Sequence, residues 1–375
     1  MREKIRILHL VPKFSRTGDT VNDYVGRLDR DRFHSVLCYL GREPEDGVTP
    51  GTYPVRFLGF GPEELKGFAL RIPLQLRSLL DEEKIDLIHC NRHKSVLYAV
   101  LAVTLSRRRG IPVVASVRSM RRSRTFSRRV TNRFLFPRVA RILALSEGVR
   151  QDILCANRWL DPGKVHVVHN GIDLDRFPLR RDPPDVDHWP VIGNIGRLVH
   201  TKGQRYLLQA FARILDRFPL ALLKIVGDGP LEEDLKEETV HLGIEEKVRF
   251  LGFRRDISGF LQGIDLFVFP SLFEGLGLSM LEAMATGVPV VGSDVGGIPE
   301  VLQGMEAGRL VPPSDVNVLT AAIESFLNLG REALFDLGKK SRLRVEEEFS
   351  LDGVARNFER VYLEEVSRDR EDKGQ

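Results

Sequence analysis

Short apolar runs rich in β-branched residues return along the whole chain, with amphipathic stretches of helix length between them. Successive runs stand mostly about 25 to 35 residues apart, the spacing of units made of one strand and one helix. The first half offers Ile5 to Val11, Ser35 to Leu40, Val55 to Leu58, Leu87 to Cys90, Pro112 to Val117, Ile142 to Leu145 and Val165 to Val168. This alternation predicts parallel sheets covered by helices, so the expected fold class is α/β.

A proline-rich break divides this pattern into two halves. Pro178, Pro183, Pro184 and Pro190 stand among Asp and Arg residues, which marks a linker. Beyond it the predicted strands are Val191 to Ile195, Leu220 to Val226, Val248 to Leu251, Leu266 to Phe269, Val288 to Val291 and Leu310 to Val311. We therefore expect two Rossmann-like, doubly wound domains, 1–180 and 190–350, facing a central cleft, with a helix over 351–375 that packs back toward the first domain.

Composition excludes several classes of protein. The 375 residues are 42% hydrophobic and 29% charged, which is typical of a globular protein and not of a fibrous or disordered one. The longest apolar run, Val96 to Leu105, is too short to cross a bilayer, and residues 1–11 do not resemble a signal peptide, so a cytoplasmic location is expected. Cys38, Cys90 and Cys155 lack metal-site or disulfide spacing and are expected to be buried thiols.

The charges are unevenly distributed although the net charge is only +4. Between Leu87 and Ser146 there is no Asp or Glu, while Lys and Arg supply fourteen positive charges. Such a block repels itself unless an anionic surface lies opposite it, and the alternative is a solvated basic face. Within the block Phe126, Val130 and Phe134 share one side at helical spacing, which suits either a domain core or a lipid boundary.

Two carboxylates and two glycines follow the predicted strand Leu266 to Phe269. Seven residues separate Glu274 from Glu282, and Gly275 and Gly277 lie between them. If a helix begins near Gly277, Glu274 lies at its N-terminus and Glu282 lies one to two turns inside, so both can reach one extended ligand. The glycines let the backbone approach closely, and the helix N-terminus favours an anion. The alternative for Glu274 alone is an N-terminal capping acid.

A second group of candidates follows the strand Val191 to Ile195. Arg197 and Lys202 flank this glycine-bounded loop at the carboxyl end of the strand. Cations in such a loop are suited to a diphosphate, and the alternative is that both are ordinary surface cations.

In these passages the sequence resembles the retaining glycosyltransferases of family 4, or group 1, which have the two-domain GT-B architecture. The resemblance covers nearly the whole chain. Its strongest element is the passage from Glu274 to Glu282, continued by Gly287-Val288-Pro289-Val290-Val291 and Gly296-Gly297-Ile298-Pro299-Glu300. The other matches are Gly196-Arg197-Leu198 with Lys202-Gly203, Val226-Gly227-Asp228-Gly229-Pro230, Phe250-Leu251-Gly252, and His169-Asn170-Gly171-Ile172-Asp173 with Phe177.

The resemblance implies a role for each candidate. Arg197 and Lys202 neutralise the leaving nucleoside diphosphate, Glu282 holds the ribose, and Glu274 with the backbone around Leu276 holds the transferred sugar. The implied donor-binding residues are Gly18, Gly196, Gly227, Gly275, Leu276, Gly277, Leu278 and Glu282. Base contacts are expected around 250–254. Neither a bound metal nor another cofactor is expected, because the cations already compensate the leaving charge.

The first domain departs from the family pattern at two places. Family members often have a glycine pair after the first strand, whereas this chain has only Gly18. Many relatives place a histidine after the strand that ends at Val117, whereas Arg118 stands here. Arg118 is therefore a candidate to replace that histidine, and His93, at the end of another strand, is the other catalytic candidate of this domain.

The implied reaction is a hexosyl transfer that retains the anomeric configuration without a protein nucleophile. The expected acceptor is a membrane-linked glycan or lipid of cell-envelope polysaccharide or lipopolysaccharide synthesis. With the basic block, this predicts a peripheral enzyme on the inner face of the cytoplasmic membrane, bound to an anionic lipid surface.

Two alternatives remain from the sequence. One is a nucleotide-sugar 2-epimerase of the same fold, which would change the donor without any acceptor. The other is a nucleic-acid binder that uses the basic block, although Tyr98, Phe126, Phe134 and Phe136 do not make a stacking platform, so no nucleic acid is expected as a partner.

Overall fold

The computed structural model describes residues 4–14, 20–44, 53–108, 110–119, 125–183 and 190–374. The chain divides into two compact units, the first made of residues 1–171 with 351–375 and the second of 172–350. The second unit thus begins at Ile172, before the predicted linker, whose residues 184–189 lie outside the described ranges. Residues 177–180 already belong to it, because Arg342 donates to the Phe177 carbonyl and the Arg180 amide donates to the Thr286 carbonyl.

The first unit is built on a seven-stranded parallel sheet with the order β3-β2-β1-β4-β5-β6-β7. Its strands are β1 (Ile5–Val11), β2 (Phe33–Gly41), β3 (Val55–Phe60), β4 (Leu87–Asn91), β5 (Val113–Val117), β6 (Arg141–Ala144) and β7 (Val165–Val167). Its helices are α1 (Thr20–Val25), α2 (Pro62–Lys66), α3 (Arg71–Glu82), α4 (His93–Leu105), α5 (Phe126–Leu135), α6 (Glu147–Ala156) and the C-terminal α14 (Leu351–Gly374).

The second unit has a six-stranded parallel sheet with the order β10-β9-β8-β11-β12-β13. Its strands are β8 (Val191–Ile195), β9 (Leu222–Val226), β10 (Val248–Phe250), β11 (Leu266–Phe269), β12 (Val290–Ser293) and β13 (Gly308–Val311). Its helices are α7 (Gln204–Ile214), α8 (Glu232–His241), α9 (Ile257–Gln262), α10 (Leu278–Ala285), α11 (Ile298–Leu302), α12 (Val316–Leu327) and α13 (Arg331–Glu348). The prediction of two Rossmann-like α/β domains is confirmed.

Each sheet reverses its strand order once, between β1 and β4 in the first unit and between β8 and β11 in the second. The inner strands, such as β4, β6, β11 and β12, are buried along their whole length, which is typical of parallel sheets with both faces covered and explains their apolar sequences. The edge strands β3, β10 and β13 are only partly buried. In an open parallel sheet ligands bind beyond the carboxyl ends of the strands where the order reverses. The functional residues are therefore expected at these two edges.

The C-terminal helix α14 is part of the first unit. Its Phe358 ring stacks on Tyr24 at 4.3 Å between centroids, and Glu365 pairs with Arg141 at 2.6 Å. Tyr362 is fully buried, and its hydroxyl lies 2.7 Å from His89 Nδ1. Apolar packing, an ion pair and a buried hydrogen bond therefore all attach this helix to the first sheet.

The prediction of three buried thiols is wrong for Cys155. Cys38 and Cys90 are buried in strands, and burial raises the pKa of the Cys38 thiol to about 12. Cys155 is exposed because it lies on the outer side of α6, near its end.

Candidate active site

Three loops of the second unit pack together at the carboxyl edge of its sheet. They follow β8, β9 and β11. A Cβ atom on Gly227 would lie 2.1 Å from the Gly196 carbonyl oxygen, and one on Gly203 would lie 2.1 Å from the Pro270 carbonyl oxygen. Gly203 also has a φ of +69° and Gly227 a φ of +132°. Only glycine permits these close approaches, so the glycines assemble the loops that carry the predicted site.

Lys202 and Glu274 meet where two of these loops join. Lys202 ends a 3₁₀ turn over His200–Lys202, and its Nζ forms an ion pair with Glu274 Oε2. The same Nζ lies 5.1 Å from the centre of the Phe269 ring, a cation–π distance. The Glu274 Oε1 accepts a hydrogen bond of 3.0 Å from the Gly275 amide. The cation and the carboxylate are thereby both oriented, and their side chains are only 24% and 16% exposed.

The helix α10 begins as the sequence predicts, immediately after Gly277. Gly277 has a φ of +93°, and a Cβ atom there would lie 2.8 Å from the Phe269 ring. The first turn of the helix, from Leu278, presents backbone N–H groups and the positive end of the helix dipole at this edge. Glu282 lies half-buried in the second turn. The arrangement offers an anion site beside two carboxylates.

The remaining predicted donor residues border the same loops. Arg197 is exposed directly beyond β8, and its carbonyl accepts a hydrogen bond from Gln204 Nε2 at 3.2 Å. The Gly196 amide donates to the Val226 carbonyl at 3.0 Å. The segment expected to contact the base lies nearby, because the Gly227 amide donates to the Gly252 carbonyl at 2.9 Å. The second unit thus brings its predicted residues to one edge, and their roles remain predictions.

Two buried polar residues at this edge were missed by the sequence analysis. Asn194 Oδ1 and Ser271 Oγ are buried, and neither has a hydrogen-bond partner in the described part of the chain. Asn194 lies inside the apolar strand β8 and donates to the Val268 carbonyl at 2.8 Å. A polar residue near the carboxyl end of an apolar strand was the signal that could have found it.

The first-unit candidates lie at the carboxyl edge of the first sheet, except Gly18, which is outside the described residues. Arg118 follows β5 and donates to Thr20 Oγ1 at the start of α1. His93 begins α4, and its Nε2 lies 2.9 Å from Asn132 Oδ1 on α5. Burial and, to a lesser extent, Arg128 lower the pKa of His93 to about 4, so its ring is neutral near pH 7.

A groove of about 900 Å³ lies between α5 and the end of α6 on the first unit. Apolar side chains are unusually exposed there: Phe126 is 82%, Val130 56% and Trp159 38% exposed. The Arg133 guanidinium lies 4.8 Å from the centre of the Trp159 ring. The groove is lined by Phe126, Arg129, Val130, Arg133, Cys155, Ala156, Arg158 and Trp159. It combines an apolar floor with a cationic border.

Some arginines of the acid-free block form ion pairs within the chain. Arg108 pairs with Asp86 at 3.4 Å, and Arg141 pairs with Glu364 and Glu365 on α14. For these two the expectation of an external anionic surface is wrong, because acids of the same chain outside the block are their partners. Arg121, Arg122 and Arg124 lie outside the described residues.

Among the described residues, no group of three or more His, Cys, Asp or Glu is arranged to hold a metal ion. Among the same residues, no helix is both long enough and apolar enough to span a membrane.

Comparison with known proteins follows the division into two units. The model of "Glycosyltransferase Family 4" matches residues 18–176, and the model of "Glycosyl transferases group 1" matches residues 189–328. The chain is 28% identical over 274 residues to an Escherichia coli UDP-Gal:alpha-D-GlcNAc-diphosphoundecaprenol alpha-1,3-galactosyltransferase, covering 68% of each protein. It is 28% identical over 323 residues to a lipopolysaccharide core biosynthesis mannosyltransferase of Rhizobium meliloti, covering 82% of this chain and 88% of the relative.

A solved structure agrees with the observed architecture. The Anabaena protein HepE, crystallised with UDP and glucose, superposes with a TM-score of 0.76 at 21% identity, covering 96% of this chain and 99% of that one. At this identity the superposition shows the fold alone. The two family models, which adjoin each other along the chain, show more: the protein is a glycosyltransferase and belongs to family 4, group 1.

Proposed function

We propose that this enzyme transfers a sugar from a nucleoside-diphosphate sugar to a hydroxyl group of a membrane-linked glycan or lipid, with retention of the anomeric configuration. The observation that carries the proposal is the Lys202–Glu274 pair, held beside the N-terminus of α10 at the carboxyl edge of the second sheet. A diphosphate needs cations and N–H donors, and a sugar needs a carboxylate that accepts from its hydroxyls. This edge provides both.

The donor is held by residues of three loops. Lys202 and Arg197 bind the diphosphate and stabilise the charge that develops on it as the glycosidic bond breaks. Glu274 and the amides near Leu276 bind hydroxyls of the sugar, while Glu282 accepts from the ribose hydroxyls. The glycines at 196, 227, 275 and 277 allow the ligand to approach the backbone.

Retention follows from attack on the face that the leaving group departs from. The bond between sugar and diphosphate loosens to an oxocarbenium-like state, and the acceptor oxygen bonds to the same face. The proton of the acceptor hydroxyl passes to the departing phosphate oxygen, so no protein nucleophile is required. The chemical work of the protein is then positioning and charge stabilisation.

A membrane-linked acceptor is supported by two observations. The compared relatives are named for work on a diphosphoundecaprenol-linked sugar and on the lipopolysaccharide core. In this chain, the α5–α6 groove exposes Phe126 and Trp159 beside Arg129, Arg133 and Arg158. Aromatic side chains favour the lipid–water interface, and each arginine near an anionic leaflet contributes about 1 kcal/mol. We place the enzyme as a peripheral protein on the inner face of the cytoplasmic membrane.

The transfer is tested by incubating the enzyme with UDP-, GDP- and ADP-sugars and a lipid-linked glycan acceptor. Product anomers are identified by NMR coupling constants. The proposal expects a product with the anomeric configuration of the donor. An inverted product would overturn retention, and an epimerised donor formed without acceptor would favour the 2-epimerase.

Membrane binding is tested by sedimentation with vesicles of increasing phosphatidylglycerol content. The variant Arg129→Ser/Arg133→Ser/Arg158→Ser removes three groove arginines, and Arg205→Ser/Arg217→Ser/Arg356→Ser is the control with the same change of charge. Wild type and control should bind anionic vesicles at low salt and be released by 1 M salt, where the Debye length is about 3 Å. Equal binding by the groove variant would make a soluble acceptor the better interpretation.

A further inference from the structure

Three side chains form a hydrogen-bond relay that runs from α6 through α5 to the first residue of α4. Asn157 Nδ2 donates to the Ile153 carbonyl at 2.8 Å, and Asn132 Nδ2 donates to Asn157 Oδ1 at 3.3 Å. Asn132 Oδ1 lies 2.9 Å from His93 Nε2. Both asparagines are buried, with 1% of Asn132 and none of Asn157 exposed. A buried amide without a hydrogen-bond partner destabilises the fold, so these hydrogen bonds hold both asparagines in defined orientations.

The relay determines which nitrogen of His93 carries the proton. The Ile153 carbonyl can only accept, so Asn157 must present its NH₂ group there and its oxygen to Asn132. Asn132 therefore donates through its NH₂ group and presents its own oxygen to His93. An amide oxygen also only accepts, so His93 Nε2 must be the donor. The neutral ring is thus held with hydrogen on Nε2 and a lone pair on Nδ1.

The surroundings keep this ring neutral because they partly bury it and carry positive charge. Burial is the main cause of the lowered pKa of His93, and the Arg128 guanidinium on α5 adds to it. Lys94, the next residue of α4, also faces Arg128. No described residue donates a hydrogen bond to His93 Nδ1. A cationic environment would attract an anion, yet His93 Nδ1 is a hydrogen-bond acceptor and therefore requires a ligand with a hydroxyl or another donor.

The position of His93 in the fold matches a substrate-binding edge. His93 follows β4 directly, and β4 is one of the two strands between which the order of the first sheet reverses. Ligands of open parallel sheets bind at that point. Arg92, immediately before His93, has a φ of 73°, and strained non-glycine backbone is concentrated at functional sites.

We propose that Asn132 and Asn157 are positioning residues that hold His93 as a fixed hydrogen-bond acceptor, and that His93 Nδ1 binds a hydroxyl of the sugar acceptor adjacent to the hydroxyl that attacks. The proposal rests on the proposed function, because it concerns the acceptor of that transfer. In this role His93 takes no proton from the reacting hydroxyl. His93 orients the acceptor and selects an acceptor that has a free hydroxyl at this position.

The tautomer is tested directly in the whole protein by long-range ¹H–¹⁵N NMR of its histidines at pH 7, with His93 assigned by comparison with His93→Gln. We expect a protonated Nε2 and an unprotonated Nδ1 in the wild type. In Asn132→Ala the oxygen that holds the Nε2 proton is gone, and the His93 signals should shift toward a mixture of tautomers. A wild-type ring protonated on Nδ1, or on both nitrogens, would overturn the proposal. This measurement does not depend on the identity of either substrate.

Kinetics test the link to the acceptor. Asn132→Ala and His93→Ala should each lower kcat/KM for the acceptor at least about tenfold while the donor KM is unchanged. His93→Asn, whose amide oxygen can take the place of Nδ1, should recover part of the loss. Asn317→Ala, an exposed amide of the second unit, is the control and should change neither value. If the wild type has the predicted tautomer but His93→Ala leaves kcat/KM for the acceptor unchanged, the proposal is also overturned.

Asn132→Asp keeps the size of the side chain and protects the test against misfolding. A carboxylate beside Nε2 favours the imidazolium form and raises the pKa of His93. As the pH falls from 8 to 6, Nδ1 should become protonated in this variant and the acceptor KM should rise, while the wild-type acceptor KM stays flat. A flat profile in the variant would contradict the role of Nδ1. A wild type that transfers no sugar to any acceptor would instead contradict the proposed function and leave the NMR result standing.

Discussion

Lys202 and Glu274 form an ion pair although 72 positions separate them in the sequence. The contact exists because Gly203 lets the loop after β8 approach the Pro270 carbonyl, at the start of the loop that carries Glu274. Pairing with Glu274 restrains the lysine before any substrate arrives. A site whose charges are already oriented loses less free energy to reorganisation during the reaction.

We expect Lys202→Ala and Glu274→Ala each to lower turnover at least about a hundredfold, or roughly 2.7 kcal/mol of transition-state stabilisation. In the proposed function Lys202 acts on the leaving diphosphate and Glu274 on the transferred sugar. Steady-state assays with saturating donor measure the effect, and circular dichroism shows whether the variants fold. Lys236→Ala, which removes an exposed lysine paired with Glu232 and Glu233, is the control. Normal turnover in the Lys202 variant would refute the diphosphate assignment.

Glu282 is expected to affect donor binding more than turnover. The ribose hydroxyls that it is proposed to bind change little as the glycosidic bond breaks, so their binding is nearly uniform along the reaction. Glu282→Ala should raise the donor KM about tenfold or more and change kcat by less than about threefold. Titration calorimetry with the nucleoside diphosphate alone provides an independent measure. A large loss of kcat with an unchanged donor KM would contradict this role.

Catalysis is predicted to continue in excess EDTA. Arg197 and Lys202 are proposed to supply the positive charge that a divalent cation supplies in metal-dependent transferases. The measurement is the initial rate after dialysis against EDTA, with and without added manganese. Activity that disappears on chelation and returns with manganese would assign the leaving charge to a metal.

The order of strands and helices could be predicted because burial on both faces leaves a strong apolar signature in the inner strands of each sheet. The predicted ranges Ile5 to Val11, Val191 to Ile195 and Leu266 to Phe269 coincide with β1, β8 and β11. The start of α10 could be predicted as well, since a glycine that adopts positive φ commonly marks a helix boundary, and Gly277 does so here.

Contacts between distant segments could not be predicted in the same way. The sequence shows Arg141 in an acid-free block, but Glu365, its partner, comes from α14 at the far end of the chain. The prolines near residue 180 indicate a loop without indicating that the second unit begins at Ile172. The relay through Asn132 and Asn157 was missed for the same reason, because an isolated asparagine gives no sign of its partner.

Alanine substitutions at two glycines with similar backbone angles distinguish the cost of backbone strain from the cost of steric contact. Gly203 has a φ of +69° and Gly243 a φ of +65°, but a Cβ atom on Gly243 meets nothing within 4 Å. Gly243→Ala should therefore lose only about 1 kcal/mol of stability from its left-handed backbone. Gly203→Ala should lose about 3 kcal/mol or more and raise the donor KM, because it displaces the Pro270 carbonyl. Urea unfolding and donor titration measure both. Equal effects of the two substitutions would show that the loop after β8 can move away from the Pro270 carbonyl at little cost in stability.

Stability of the first unit should fall as the pH drops below about 6.5. His9 and His89 are fully buried, and burial lowers the pKa of His9 to about 3 and that of His89 well below its usual value. Below pH 6.5 the unfolded chain binds protons at these histidines and the folded chain does not. The unfolding free energy then decreases by up to about 1.4 kcal/mol per pH unit for each histidine, and the contribution is fully present above pH 6.5.

Unfolding in urea at pH 7, 6 and 5 measures how the unfolding free energy depends on pH. Histidine variants then show how much of that dependence comes from His9 and His89. Trp159 in a Trp189→Phe background reports on the first unit, since the chain has only two tryptophans. His9→Gln should reduce the slope by the contribution of one histidine, while His241→Gln, at an exposed position, should leave it unchanged. Because His89 also bonds to Tyr362, an opening of α14 that exposes His89 takes up a proton below pH 6.5. Hydrogen exchange in residues 351–366, relative to the intrinsic amide rate at each pH, should therefore increase below pH 6. A first unit equally stable at pH 7 and pH 5 would mean that these rings are already protonated or reach water in the folded state.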